Sequence, residues 1–167
     1  MGKYFENPKV SLKNFNLSGC ENAFDEIGIN KFSEMIKKVS LEYLNLAGIL
    51  GISTNSMIGA LDRLKLIKTL NYLDISYFFS NLENDEIASL NDKIKSVVQM
   101  LPNLQYLCLR QWVFDLKRLK LFWHQLDNKT FKEIYLSGCQ YYPETNEDNI
   151  LKEFRNEECK FKINLEN

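Results

Sequence analysis

A single histidine, His124, stands in Leu121-Phe-Trp-His-Gln-Leu126, and it is the one side chain whose ordinary titration falls near neutral pH. A catalytic base needs a nucleophile or carboxylate held at hydrogen-bond reach, and nothing around His124 in the sequence suggests either. It therefore reads as a solvated or core-edge residue of a helix. Cys20, Cys108, Cys139 and Cys159 are far apart and form no C-x-x-C pair, so neither a zinc site nor a redox motif is spelled out, and they read as free thiols. The acidic run Glu144, Asn146, Glu147, Asp148 lacks the glycine and the terminal bidentate glutamate of a calcium loop. It fits the N-terminus of a helix better, where negative charge is favoured. No phosphate-binding, dinucleotide-binding, nucleophile-elbow or H-E-x-x-H motif occurs. The expectation is a non-catalytic chain with no cofactor and no metal.

Composition narrows the class further. The 167 residues suit one domain, and 45% apolar against 26% charged residues, with only 3 Pro and 7 Gly, describes a packed chain. Lys and Arg number 21 against 22 Asp and Glu, a net charge of -1, which leaves no surplus for general phosphate-backbone binding. Nucleic acid is thus disfavoured as a main partner. Met1 to Val10 has no apolar core of a secretory signal and no transit-peptide character, and Glu6 stands where a myristoylation motif requires Ser or Thr. No run approaches the roughly 20 apolar residues of a membrane span. An intracellular location is expected, cytoplasmic or inside an organelle, with no transmembrane segment.

Five segments obey one pattern: Leu12-Lys-Asn-Phe15-Asn-Leu17, Leu41-Glu-Tyr-Leu44-Asn-Leu46, Leu70-Asn-Tyr-Leu73-Asp-Ile75, Leu104-Gln-Tyr-Leu107-Cys-Leu109 and Phe131-Lys-Glu-Ile134-Tyr-Leu136. Their starts are 29, 29, 34 and 27 residues apart, and a degenerate sixth copy lies around Cys159 to Leu165. The pattern resembles the leucine-rich repeat family, L-x-x-L-x-L-x-x-N/C, with Cys20 and Cys139 at the last position. The resemblance covers Leu12 to about Leu165. A period near 28 is most similar to the subfamilies with a full helix per repeat, such as ribonuclease inhibitor and the actin-capping domain of tropomodulin. Ile49, Phe78 and Trp112 replace the family's Asn or Cys, so irregular turns are expected there.

The segments between the strands carry helical periodicity of their own. In Asp25 to Val39, Ile29, Phe32, Met35, Ile36 and Val39 recur at three- and four-residue steps, and similar stretches are Met57 to Lys68, Asp85 to Met100, Leu116 to Gln125 and about Asp148 to Arg155. A helix between successive strands is a crossover, which makes the strands parallel. The fold class expected is α/β: a leucine-rich-repeat solenoid of five to six repeats, with a concave parallel sheet and outer helices. Residues 1–11 would be an N-terminal arm and 12–167 the repeat domain.

Strand alternation sends positions 1, 4 and 6 towards the helices and positions 3, 5 and 7 into the concavity. Tyr43, Tyr72 and Tyr106 then form a row, flanked by Asp74, Arg110 and Tyr135. Two readings are open: an aromatic strip that binds protein, or tyrosines that simply fit a pleated surface. The 34-residue step puts its excess in 78–84, a rim loop in which the apolar Phe79 and Leu82 either contact a partner or tuck under the loop, with Trp112 and Phe114 on the same rim. The protein-binding set is therefore Tyr43, Tyr72, Asp74, Tyr106, Arg110, Tyr135, Phe79 and Trp112. Partners are other protein subunits. Because neither end has room for a full cap, the leading expectation is a binding or architectural subunit of a larger assembly. The alternative is a soluble adaptor that captures a client on its concave face.

Overall fold

The computed structural model describes residues 12–20, 25–36, 38–49, 52–78, 82–126, 131–142, 152 and 162–165, and for residues 120 and 123–126 the backbone alone. The arm expected at 1–11, the last helix at 148–155 and the acidic run at 144–148 lie outside the described residues.

Each matched segment forms a three-residue strand: β1 (Asn14–Asn16), β2 (Tyr43–Asn45), β3 (Tyr72–Asp74), β4 (Tyr106–Cys108) and β6 (Glu133–Tyr135). The degenerate copy supplies β8 (Lys162–Asn164). These six pair in the order β1-β2-β3-β4-β6-β8, every pair parallel. The register follows the repeat residue by residue, so Phe15, Leu44, Leu73, Leu107, Ile134 and Ile163 form one row across the sheet. Between the strands run α1 (Glu26–Ile36), α2 (Thr54–Leu64), α3 (Asn84–Met100) and α4 (Leu116–Leu126). The structure is thus α/β, with a six-stranded parallel sheet and helices as crossovers.

The apolar periodicity of the helices meets the fourth-position row. Ile29, Phe32, Ile36, Met57, Leu61, Leu64, Leu90, Ile94 and Val97 share one core with Leu44, Leu73, Leu107 and Ile134, all buried. Local signals start the helices. Ser53 Oγ accepts the Ser56 N–H before α2, Glu83 and Glu86 form a reciprocal capping box at α3, and Asp115 Oδ1 accepts the Arg118 N–H at α4. Ion pairs join successive helices on their outer side: Glu34 with Arg63, Asp62 with Lys93, and Asp92 with Arg118.

Three expectations change. The extra length of the third repeat sits mainly in its helix, since α3 has 17 residues against 11 in α1, α2 and α4. Phe78 is buried, and Leu82 packs against the core, the second of the two readings open for it. Next, the turns after the strands are regular. Gly19, Gly48, Tyr77, Gln111 and Gly138 all adopt positive φ at the same place in the repeat. The N–H groups of the first four donate to Ala47, Ser76, Arg110 and Ser137 carbonyls at 2.9–3.1 Å. The backbone ladder is the same in these turns whether or not the ninth position carries the family's Asn or Cys.

Trp112 and Phe114 are also not on a rim. Trp112 is 1% exposed and its Nε1–H donates to the Ile75 carbonyl at 2.6 Å. Cys139 does the equivalent one repeat on, its Sγ lying 3.0 Å from the Leu109 carbonyl. The ninth position points inward, and an indole N–H there does what a thiol does in the next repeat. A second, two-stranded parallel sheet follows, β5 (Val113–Asp115) with β7 (Gln140–Tyr142). Asn91 fixes it to α3, donating to the Val113 carbonyl and accepting from the Asp115 N–H, each at 3.0 Å. Trp112, Phe114 and Tyr141 stack in series there, with ring centroids 6.4 and 6.3 Å apart.

Candidate functional site

The sheet face opposite the helices is assembled by the same register. Its third-position row runs Asn14, Tyr43, Tyr72, Tyr106, Glu133, Lys162, and its fifth-position row runs Asn16, Asn45, Asp74, Cys108, Tyr135, Asn164. Neighbouring strands lie about 4.8 Å apart, which forces rings in one row to meet. Tyr43 and Tyr72 stack with centroids at 4.3 Å and planes within 13°. Tyr72 and Tyr106 are tilted, at 6.3 Å and 37°. All three residues are half-buried, Tyr72 lying between the other two.

Beneath and beside these rings the polar residues divide into two groups. Asn16, Asn45 and Asp74 turn back on their own chain, each accepting the N–H two residues on, at 2.8, 2.9 and 3.0 Å. This is where the structure alters the reading of Asp74. It is 3% exposed, so it does not present itself to a partner; its Oδ2 instead lies 3.5 Å from the Tyr72 hydroxyl and 4.0 Å from Arg110 Nη1. Large neighbours cover a short side chain in the middle of a crowded face.

Cys108 is enclosed in the same way, its Sγ 3.3 Å from the Tyr72 oxygen. Burial, with Asp74 adding to it, pushes the thiol up to about 12, against a weaker opposing effect of Tyr72 and Arg110. Burial likewise raises Tyr72 far above the ordinary phenol range, with Cys108 and Asp74 adding to it. A nucleophilic thiol needs the opposite shift, because the thiolate is the reactive form. Tyr72 and Cys108 therefore keep their protons at neutral pH.

Arg110 and Tyr135 are brought together with the row. The guanidinium carbon sits 5.0 Å from the Tyr135 ring centre, and the Arg110 backbone N–H is fixed to Ser76 Oγ at 3.0 Å. Burial raises Tyr135, with Glu133 reinforcing it. Glu133 is held below its usual range because hydrogen bonds from Lys162, Tyr135 and Asn164 outweigh burial. Phe79 lies outside the described residues, and Trp112 belongs to the core, on the other side of the sheet.

Two residues of this region were not foreseen. Lys132 places its Nζ 5.7 Å from the centre of the Tyr106 ring; nothing in the repeat marks a second-position residue as reaching over a third-position ring. Tyr77 is exposed and held at φ 63° where three other repeats use glycine, a signal that alignment of the repeats could have shown.

Cys20 is an exposed free thiol and Cys108 a buried one; Cys139 is buried with its Sγ on the Leu109 carbonyl, and Cys159 lies outside the described residues. Among the described residues no cluster of three or more His, Cys, Asp or Glu side chains is placed to hold a metal ion. No helix among them is long and apolar enough to cross a membrane. Compared with known protein families and with curated proteins, the chain matches no family model and no curated protein.

Proposed function

We propose that the chain is a non-catalytic leucine-rich-repeat protein, its six-stranded sheet the concave lining of a solenoid, and that it binds another protein on that lining. The observation that carries this reading is the Tyr43–Tyr72–Tyr106 row with Arg110 and Tyr135 beside it. Half-buried, mutually stacked rings lose little entropy on binding and offer both apolar area and a polar rim. Asp74 and Cys108, buried against Tyr72, support that row from below, and a pre-positioned ring lowers the ordering cost of association.

Such a module serves either as a subunit of a protein assembly or as an adaptor. The subunit reading leaned on open ends, which concern chain outside the described residues; the tyrosine face favours capture of a client. The test starts with affinity purification from the native source and identification of the co-purifying chain. Its affinity is then measured for the wild type and for a Tyr72→Ala, Tyr106→Ala double variant. Binding should weaken by roughly 30-fold or more with the fold intact. Undiminished binding by a folded double variant would overturn the face-binding reading. A chain that aggregates alone and becomes soluble only with its partner would favour the assembly-subunit reading.

A further inference from the structure

We propose that Arg110 anchors a carboxylate carried by an acidic segment of the bound protein, an inference that rests on the face-binding reading above. Among the described residues the Arg110 side chain makes no hydrogen bond. Its nearest acid, Asp74 Oδ2, is 4.0 Å away, outside hydrogen-bond range, and its Nε is buried without a partner. The side chain is 26% exposed, so a bidentate acceptor on the open side can take its Nη donors, which no group among the described residues uses in a hydrogen bond. The group is also held ready. Stacking on Tyr135 and the backbone bond to Ser76 fix where the fork stands.

The surroundings select the sign of the ligand. Lys132, over the Tyr106 ring, puts a second cation on the neighbouring strand. The acids of the same face are already engaged: Asp74 accepts from Ser76 and is sealed from solvent, and Glu133 is 3.1 Å from Lys162 Nζ. On the strand after Arg110, the buried Ser137 Oγ likewise has no partner. Around Arg110 the cations Arg110, Lys132 and Lys162 stand against Asp74 and Glu133, a local balance of +1, although the whole chain carries -1. A planar monoanion matches the arginine fork, whereas a dianionic phosphate would meet stronger repulsion from Asp74 close behind it. The occupant is therefore an Asp or Glu side chain of a peptide segment whose neighbouring residues pack on the tyrosine row.

The test uses the full chain and a random peptide library displayed on phage, followed by synthetic versions of the selected peptides. Peptides retained by the wild type and lost on Tyr72→Ala should share an Asp or Glu at one position. Changing that acid to its amide should weaken binding to the wild type by about tenfold or more, and change binding to Arg110→Gln by less than about twofold. Because Arg110→Gln leaves the Asp74 charge buried, a second variant, Asp74→Asn with Arg110→Gln, removes both charges and keeps the oxygen that caps the turn; it should behave in the same way. Face-sensitive peptides with no fixed acid, or equal amide effects in the presence and absence of Arg110, would overturn the carboxylate anchor and leave the face-binding reading standing. Tighter binding of a phosphoserine peptide than of the acidic one would overturn it in favour of phosphate. No peptide sensitive to Tyr72→Ala would overturn both readings.

Discussion

On the helix side of the sheet, the fourth strand position is Phe15, Leu44, Leu73, Leu107, Ile134 and Ile163, one residue class repeated with little variation. On the other side, one position away along the same strands, the row changes from Asn14 through three tyrosines to Glu133 and Lys162. The backbone and register are shared, so the difference lies in what each face meets. Side chains facing the helices must fill a closed volume at near-crystalline density, which admits only branched or aromatic apolar residues of matched size. Side chains facing away are constrained by their lateral neighbours alone, and that freedom leaves room for stacked rings, a sealed acid and an arginine whose Nε has no hydrogen-bond partner among the described residues.

The contrast predicts a steep difference in stability effects. Leu73→Ala should cost about 2 to 5 kcal/mol through lost burial and the cavity left behind. Tyr43→Ala, on the open face, should cost about 1 kcal/mol, the order of one aromatic pair. Equilibrium unfolding in urea checks both, and equal costs would erase the distinction between the faces.

Trp112 sharpens the boundary, because a residue assigned from sequence to the binding rim proved to be core. Trp112→Phe keeps most of the volume but removes the N–H that satisfies the Ile75 carbonyl, and should destabilise by about 1 to 3 kcal/mol. Partner affinity should not change. A loss of binding without a loss of stability would return Trp112 to the interaction surface.

The turns joining the two faces make a smaller effect visible. Gly48→Ala forces a side chain into φ 73°, although its Cβ would meet only ordinary contacts at 3.7 and 3.8 Å; it should cost about 1 to 2 kcal/mol from backbone strain alone. Tyr77→Gly relieves the same strain and should stabilise by up to about 1 kcal/mol. If Tyr77→Gly weakens partner binding while raising the unfolding temperature, the strain is tied to use of that ring.

Smallest of all is the acid response of the helix layer. Burial would raise Asp62, but Lys65 and Lys93 outweigh it and hold the carboxyl below its usual range. A depressed folded value means the contribution is present above about pH 4 and is lost as pH falls through the folded value. The group is partly exposed, so the contribution should be below about 1 kcal/mol. Asp62→Asn should flatten the stability profile below about pH 4, and an unchanged profile would remove Asp62 from the account.

The strands and their register were readable because a repeat states the same constraint five times, and each fourth-position residue confirms its neighbours. Helix placement was readable to within a few residues for the same reason. The β5–β7 pair was not, since Val113-Phe-Asp and Gln140-Tyr-Tyr are too short to show a period and are fixed by Asn91 from a distant helix. Asp74 was misjudged because alternation tells which face a side chain takes, and not whether larger neighbours close over it. Trp112 was misjudged because a turn residue was taken as exposed, when the repeat's ninth position points into the core.

The central claim is that one face of the sheet makes the fold and the other meets the partner. It is tested most directly by NMR chemical-shift mapping of the isotopically labelled chain with its co-purified partner, following backbone amides and the Arg110 Nε–H. The account predicts shifts concentrated at Tyr43, Tyr72, Tyr106, Arg110, Lys132 and Tyr135, with the outer residues of α1 to α4 unmoved. Shifts confined to the helices, with the tyrosine row unmoved, would contradict it.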